Sequence, residues 1–226
     1  MNGRLGCLPI VLFLLLLFLL PFWFAQVMGL ALAKLRLVPQ TALFVIVGIF
    51  LGSVVNIPVK RLVRHEDVTV HPFPHFGFLD RWPQFQRVRR ETIVAVNLGG
   101  CVIPTMLAVY EMVQLVMDAW TYLLAVGLAV AINTTVCYRL ARPVKGIGIA
   151  MPALVPPIVA VMSALVLAPD QAPPAAFIAG VLGPLLGADL LHLREIPRIS
   201  TGMASIGGAG TFDGIVLSGI LAAYLA

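Results

Sequence analysis

The sequence has few charged residues, and this scarcity excludes most classes of soluble protein. Only 11% of the 226 residues are Asp, Glu, Lys or Arg, whereas 60% are hydrophobic. A soluble domain carries about 25% charged residues, because its surface must face water. A soluble enzyme and a disordered chain are therefore excluded. The composition indicates an all-α, polytopic bundle of transmembrane helices that forms a single domain over residues 1–226 and has the lipid bilayer as its main partner.

Cysteine is also scarce, and its positions suggest no special chemistry. Cys7, Cys101 and Cys137 are an odd number, and no two of them have the spacing of a zinc site or of a disulfide framework. The sequence points to no cofactor. The net charge of +5 is better explained by basic loops beside a membrane than by nucleic-acid binding, so no nucleic-acid partner is expected.

Long apolar stretches are what the chain has in abundance. A helix needs about 20 apolar residues to cross the hydrocarbon core, and the stretches are continuous rather than alternating, which favours helices over barrel strands. Seven spans are predicted, at about Leu8–Leu30, Thr41–Ile57, Thr92–Val116, Ala119–Cys137, Ile149–Ala168, Pro174–Leu193 and Met203–Ala226.

The first apolar stretch also resembles a signal peptide, with a possible cleavage site at Ala31-Leu32-Ala33. Its apolar part runs on through Phe22, Trp23 and Phe24, which is too long for a typical removable signal. We therefore expect an uncleaved span that is kinked or interrupted at Pro21.

Basic residues are distributed very unequally between the two sides of the predicted bundle. With seven spans, 13 of the 15 Lys and Arg residues lie on the side of the N-terminus, and only Lys34 and Arg36 lie on the other. The positive-inside rule then places the N-terminus in the cytoplasm and the C-terminus outside. The predicted location is the inner (plasma) membrane.

Residues 59–91 form the only sizeable polar segment, predicted as a cytoplasmic or interfacial loop between spans two and three. Its aromatic residues suit a position among lipid headgroups. His65, His71 and His75 permit a metal site, but their spacing matches no established ligand pattern, and solvated loop residues are the preferred interpretation.

Two acids within predicted spans are the strongest functional signal. Ionisable groups are expensive inside a membrane, so Asp189 and Asp213 are candidate functional residues. Counting along the helices puts both near the cytoplasmic face, on neighbouring spans joined by a short connection, provided that the glycine run Gly207–Gly210 is unwound. Glu111 is interpreted instead as an interfacial residue close to the outer surface.

Other polar residues are predicted at the same depth as the two aspartates. Together they suggest a wet cavity open to the cytoplasm, although independent hydrogen bonds between helices remain the preferred interpretation for the asparagines. Close helix approach is the preferred role for the glycines Gly99, Gly100, Gly146, Gly148, Gly180, Gly183 and Gly187. The polar residues predicted at the depth of the two aspartates are Asn56, Asn97, Asn133, Thr134, Thr135 and His192.

A pair of carboxylates supports several kinds of chemistry. One carboxyl can hold a proton while the other stays ionised, so the pair can activate water by acid–base action. The pair can equally bind protons or cations during transport. A metal held by Asp189, His192 and Asp213 is a third option, and a non-catalytic scaffold with interhelical hydrogen bonds is a fourth. The corresponding partners are a membrane peptide or a small ion or solute.

The arrangement resembles the intramembrane aspartyl proteases of the presenilin and signal peptide peptidase group. Those proteins carry one Asp on each of two adjacent spans, a GxGD motif on the second and a Pro-Ala-Leu motif nearby. Here the second motif is Gly210-Thr211-Phe212-Asp213, and the Pro-Ala-Leu stretch precedes the acids. The resemblance implies Asp189 and Asp213 as catalytic residues. The supporting residues are predicted to be Asn97, Pro152, Ala153, Leu154, Gly187, His192, Gly208, Gly210 and Thr211.

A second resemblance covers most of the chain. The stretches Gly187–Leu193 and Ile206–Ile215 are similar to a prokaryotic multi-pass membrane family that is catalogued only as a domain of unknown function. This resemblance implies a prokaryotic inner-membrane protein and no particular activity. An intramembrane aspartyl protease is the preferred hypothesis, with a proton- or cation-coupled carrier and a scaffold as alternatives.

Overall fold

The computed structural model describes residues 8–70, 84–144, 148–196, 202–209 and 213–226. Seven α-helices lie in this part of the chain. Two π-helical segments adjoin helices, Leu98–Val102 before α3 and Leu185–Leu190 after α6. The α-helices are α1 (Leu8–Lys34), α2 (Pro39–Gly52), α3 (Ile103–Asp118), α4 (Thr121–Leu140), α5 (Val155–Leu167), α6 (Ala172–Pro184) and α7 (Gly214–Leu225).

Four helical segments are long and apolar enough to cross a membrane. They are Pro9–Lys34, Leu98–Asp118, Thr121–Leu140 and Pro169–Leu190. The helices α2, α5 and α7 have 14, 13 and 12 residues. At 1.5 Å per residue such helices extend roughly 18–21 Å, less than the hydrocarbon core of about 30 Å. The prediction of a mostly helical protein with helices that could cross a membrane is confirmed, with four such helices among the described residues.

The expectation of an all-helical chain is wrong at two places, because apolar residues there form strands. Strand β1 (Asn56–Val70) pairs antiparallel with β2 (Gln84–Asn97), and β5 (Met203–Ile206) pairs parallel with β2. The β-branched run Thr92–Val96 was assigned to a span, but β-branched side chains favour strands, and short apolar runs do not distinguish the two structures. Much of the predicted loop 59–91 is therefore a hairpin.

A second, smaller sheet lies before α5. Strand β3 (Arg142–Val144) pairs antiparallel with β4 (Gly148–Ala150). The predicted fifth span consequently begins later than expected, at Val155 instead of Ile149. Pro156 and Pro157 follow at the start of α5, where proline is tolerated because the first helical N–H groups have no partner within the helix.

Helix α6 is the centre of the bundle, and its glycines allow neighbouring backbones to approach. A Cβ added at Gly180 would meet α7 at Ser218 and Gly219. A Cβ added at Gly183 would instead meet the side chain of Asn133 on α4. Small residues on two sides of one helix thus allow close packing with two neighbours, as is common between helices in membranes.

Helix α1 has two different halves. It is continuous through Pro21, so the predicted interruption there is absent. Its first half is exposed nearly all round and apolar, as expected of a surface that faces lipid. Its second half packs into the bundle, where Met28, Ala31 and Leu32 are fully buried. The possible cleavage site thus lies among core residues.

Candidate functional site

Asp189 lies in the π-helical segment Leu185–Leu190, at the end of α6. Pro184, which has no N–H to donate, directly precedes this segment and favours a break in the regular hydrogen-bond pattern. Single π-helical turns occur frequently at functional sites, since they re-aim side chains. The Asp189 side chain is half-buried and forms no hydrogen bond with the described residues.

Asp213 lies directly before α7 and caps its N-terminus. One carboxylate oxygen accepts a hydrogen bond from the backbone N–H of Ile215 at 3.0 Å, and the other accepts from the N–H of Ala209 at 3.4 Å. Aspartate is among the best N-cap residues, and a carboxylate is favoured at the positive end of a helix. Asp213 is thus fixed in place by backbone groups, whereas Asp189 is not.

The described part of the glycine run, Gly207–Ala209, forms a turn, as one of the two sequence alternatives required. Strand β5 ends at Ile206, and the N–H of Gly208 donates to the carbonyl of Ser205 at 3.1 Å. Gly207 has a φ of 72°, a left-handed conformation that glycine adopts without a steric penalty. A Cβ at Gly207 would also collide with the backbone of Gly100 and Cys101. The turn thus packs closely against the π-helical segment before α3.

The two aspartates share the walls of two cavities. A cavity of about 340 Å³ is bounded by both carboxylates, by β4 and β5 and by the turn Gly207–Ala209. A second cavity of about 300 Å³ is bounded by the same two aspartates, by the turn before α5 and by the start of α7. The carboxylates are also close enough to interact electrostatically. The structure thus brings together the two residues that the sequence predicted as a pair.

A polar network extends from the larger cavity into the sheet. The hydroxyl of Ser205, a cavity residue, donates to the side-chain oxygen of Asn56 at 2.5 Å. Asn97 donates to the same oxygen at 3.1 Å and to the carbonyl of Ser53 at 2.7 Å. Its own side-chain oxygen accepts from the N–H of Gly100 at 2.7 Å. The fully buried Asn97 therefore joins β2 to the π-helical turn before α3.

Asn56 and Asn97 come together for a reason that the helical prediction missed. They are paired across β1 and β2, at the end of the hairpin nearest the bundle. In the sequence, the only indication that these two asparagines lie close together is the equal depth that is predicted for them. Ser205 was not predicted at all, since it falls in a stretch that was assigned to the seventh span.

Other polar residues that were candidates for the site form contacts away from the two cavities. Nδ1 of His192 is 3.0 Å from the carbonyl oxygen of Gly187, and the imidazole ring lies against Tyr138, at the end of its own helix. Asn133 donates to the carbonyl of Ala179 at 2.8 Å and joins α4 to α6. Thr135 donates to its own helix. Neither His192 nor Asn133 borders the two cavities, and Asn133 fits the interhelical hydrogen bond that the sequence favoured.

The remaining predicted supporting residues have different positions. Ala153 borders the smaller cavity, and Pro152 and Leu154 flank it in the turn before α5. Gly208 borders the larger cavity. Gly187 packs against α4, where a Cβ would collide with the Thr134 carbonyl oxygen. Residues that lie outside the described part are Gly210, Thr211, His71 and His75.

Cys101 is a neighbour of the site that sequence analysis did not select. This buried thiol lies in the π-helical turn before α3 and interacts electrostatically with both aspartates. No motif marked it, because its proximity depends on the turn at Gly207. Among the described residues, no group of three His, Cys, Asp or Glu side chains is placed to hold a metal ion. The described residues place two carboxyl groups beside the two cavities, and only one of these groups, that of Asp213, accepts hydrogen bonds from the backbone.

One protein family matches residues 50–225 of the chain, and its description is "Protein of unknown function (DUF1614)". No curated protein and no solved structure matches the chain. Because the family match covers more than half of the sequence, the chain belongs to the DUF1614 family. The predicted membership in a family that is catalogued only as a domain of unknown function is confirmed.

Proposed function

We propose that this member of the DUF1614 family is an intramembrane aspartyl hydrolase that cleaves peptide bonds with Asp189 and Asp213. One observation carries the proposal. The two carboxylates come from different helical segments and border the same two cavities. A pair of carboxyl groups beside a space for water is the minimum that acid–base activation of a water molecule requires.

The surroundings of the two carboxylates assign them different roles. Asp213 accepts two backbone hydrogen bonds at a helix N-terminus, which stabilises its ionised form and suits a general base. Asp189 receives no hydrogen bond from the described residues, and an apolar neighbourhood favours a neutral carboxylic acid that donates a proton. Pairs of acids with contrasting environments are the usual arrangement for such division of roles.

The proposed reaction follows from these roles. Asp213 takes a proton from the attacking water as the water oxygen bonds to the carbonyl carbon, and Asp189 gives its proton to the carbonyl oxygen. The tetrahedral diol then collapses. Asp213 passes its proton to the leaving nitrogen, the carbon–nitrogen bond breaks, and Asp189 recovers a proton from the diol hydroxyl. Each carboxyl group ends in its starting state.

The walls of the cavities suit a substrate that is partly apolar. The smaller cavity is bounded by Ala150, Met151, Ala153 and Leu217 in addition to the acids, whereas the larger is bounded by strand and turn backbone. Backbone groups in the larger cavity can bind a peptide by hydrogen bonds, and the apolar residues of the smaller cavity can accept a side chain.

A cleavage assay on the full chain in lipid bilayers tests the proposal. Labelled transmembrane peptides are incubated with the wild type and with Asp189→Asn and Asp213→Asn variants. Asp170→Asn is the matched control, because Asp170 is an exposed acid at the other end of α6. We expect cleavage by the wild type and the control and none by the other two. Retained cleavage in either site variant would exclude the pair.

A probe that needs no known substrate complements this assay. A peptide isostere that carries a hydroxyl group in place of the scissile carbonyl mimics the tetrahedral intermediate, so it binds where two carboxyl groups converge. A photoreactive version should label the wild type, and labelling should disappear in Asp189→Asn. Equal labelling of both proteins contradicts a shared active site.

A proton-coupled carrier is the second candidate, and a specific observation favours it. Among the described residues, four buried side-chain oxygens have no hydrogen-bond partner: Oγ1 of Thr105, Oγ1 of Thr134, Oγ of Ser218 and Oε1 of Glu111. Ser218 follows Asp213 on α7, and Glu111 lies towards the other end of α3. Solute uptake into liposomes that depends on a pH gradient and on Asp213, without any peptide cleavage, would favour this function.

We propose an inner-membrane location with seven passes and a cytoplasmic N-terminus. The unequal distribution of basic residues supports this orientation, and the short helices α2, α5 and α7 would complete the passes together with local thinning of the bilayer. Reporter fusions after Lys34, Asp118 and Asp170 should report the outer side. Fusions after Arg139 and Arg194 should report the cytoplasm, and an inverted pattern would refute the orientation.

A further inference from the structure

A second polar cavity lies at the other end of the bundle from the two aspartates. Its volume is about 170 Å³, and it lies where α1 ends, α3 ends and α6 begins. From Gln171 in its wall to Asp189, the helical segment rises roughly 27 Å at 1.5 Å per residue. This cavity is therefore distinct from the proposed active site, and no step of the proposed hydrolysis uses it.

Most polar side chains in the wall of this cavity have a partner. Lys34 donates to the carbonyl of Tyr224 at 2.7 Å, and the amide of Gln114 donates to the hydroxyl of Tyr110 at 2.8 Å. Asp118 accepts a long hydrogen bond from Gln171 at 3.5 Å. These contacts join the ends of α1, α3, α6 and α7 around the cavity.

Glu111 is the exception. Its side chain is only 4% exposed, and Oε1 has no hydrogen-bond partner among the described residues. A buried carboxyl oxygen without a hydrogen-bond partner is destabilising, and more so when the group is charged. Such a group is expected where a ligand, instead of the protein, supplies the missing donor.

Arg36 borders the same cavity and is also without a bound partner. It interacts with Glu111 electrostatically, yet the described residues contain no hydrogen bond or ion pair of its guanidinium group. Its φ is 59°, a left-handed conformation that is unfavourable for a residue with a long side chain. Glycine or asparagine would adopt this conformation more easily, which indicates that the arginine side chain itself has a role at this position.

We infer that this cavity binds a small zwitterion, whose ammonium group bonds to Glu111 and whose anionic group bonds to Arg36. The two protein charges face the same space and are not joined to each other, which is the arrangement that a ligand carrying both charges completes. A water molecule occupies about 30 Å³ in the liquid, so the cavity has room for several waters or for a ligand of comparable size. Both a free zwitterion and an ethanolamine-phosphate lipid headgroup have this chemistry.

Calorimetric titration of the purified full chain in detergent tests the inference. Phosphoethanolamine is the probe, with ethanolamine and inorganic phosphate as single-charge controls and phosphocholine as a control whose ammonium group has no N–H. We expect phosphoethanolamine to bind at least about tenfold more tightly than each control, which is 1.4 kcal/mol. Native mass spectrometry after incubation with phosphatidylethanolamine or phosphatidylcholine distinguishes a headgroup ligand from a free one.

The Glu111→Gln variant removes the negative charge with almost no change in shape. We expect phosphoethanolamine affinity to fall by about tenfold or more, while Asp170→Asn, an exposed acid at the same end, binds as the wild type does. Equal binding by the wild type and Glu111→Gln would overturn the inference. If Glu111→Gln does not fold, binding by the wild type alone still tests the inference. Equal binding of phosphoethanolamine and phosphocholine by the wild type, or no binding of either, overturns the inference. Peptide cleavage by Glu111→Gln should remain unchanged.

Discussion

Replacement of Asp213 by asparagine and by alanine separates the structural role of this side chain from its proposed chemical role. The carboxylate caps α7 through hydrogen bonds from Ile215 and Ala209. Asparagine is as good an N-cap as aspartate, because its side-chain oxygen accepts the same hydrogen bond. Alanine has no acceptor. Only the aspartate, however, supplies a charge and a site for a proton.

The expected magnitudes follow from these contacts. Asp213→Ala should lower the free energy of unfolding by about 0.5–2 kcal/mol, the usual loss when an N-cap is truncated. Asp213→Asn should change it by no more than about 0.5 kcal/mol, since the cap remains. General acid–base catalysis typically contributes about 10²–10⁴-fold, so both variants should lose at least this factor in peptide cleavage.

Two measurements on the same samples test this reasoning. Thermal unfolding in detergent reports the cap, and cleavage of a labelled transmembrane peptide in bilayers reports the chemistry. Asp170→Asn serves again as the control for the loss of one acid. If Asp213→Asn is as unstable as Asp213→Ala, the carboxylate has a structural role beyond the cap. If Asp213→Asn cleaves peptide at the wild-type rate, Asp213 is not the base.

Three further variants test the packing that builds the site, each by thermal unfolding in detergent. Gly207→Ala should destabilise the protein by about 1–3 kcal/mol, because its φ is 72° and a Cβ would meet the start of α3, and an unchanged melting temperature would contradict that turn. Gly183→Ala should cost about 1–3 kcal/mol by displacing Asn133, whereas Gly127→Ala, whose Cβ meets nothing, should be neutral or stabilising, and equal effects would contradict the close contact of α4 and α6. Asn97→Ala should cost about 1–3 kcal/mol by leaving the Gly100 N–H without its acceptor, and a neutral result would indicate that water replaces the amide.

Much of the architecture is predictable because a membrane imposes a length on apolar segments. The fourth predicted span agrees with α4 to within three residues at each end, since both ends carry polar or charged flanks. Predictions failed where an apolar run was short or β-branched, as at Thr92–Val96 and Met203–Ile206. In such runs hydrophobicity shows that a segment is buried and leaves its secondary structure open.

At the site, the two acids could be identified from the sequence, because charge within an apolar segment is rare and costly and both acids lie on segments that are neighbours along the chain. The groups that surround them depend on how the helices and strands pack. The left-handed turn at Gly207 packs against the π-helical segment that contains Cys101, Asp213 caps α7, and Asp189 in the second π-helical segment borders the same cavities. His192 follows the π-helical segment after α6 and Asn133 lies on α4, and neither side chain borders these cavities. Depth follows from counting residues along a helix, whereas the direction of a side chain depends on how the helices and strands pack.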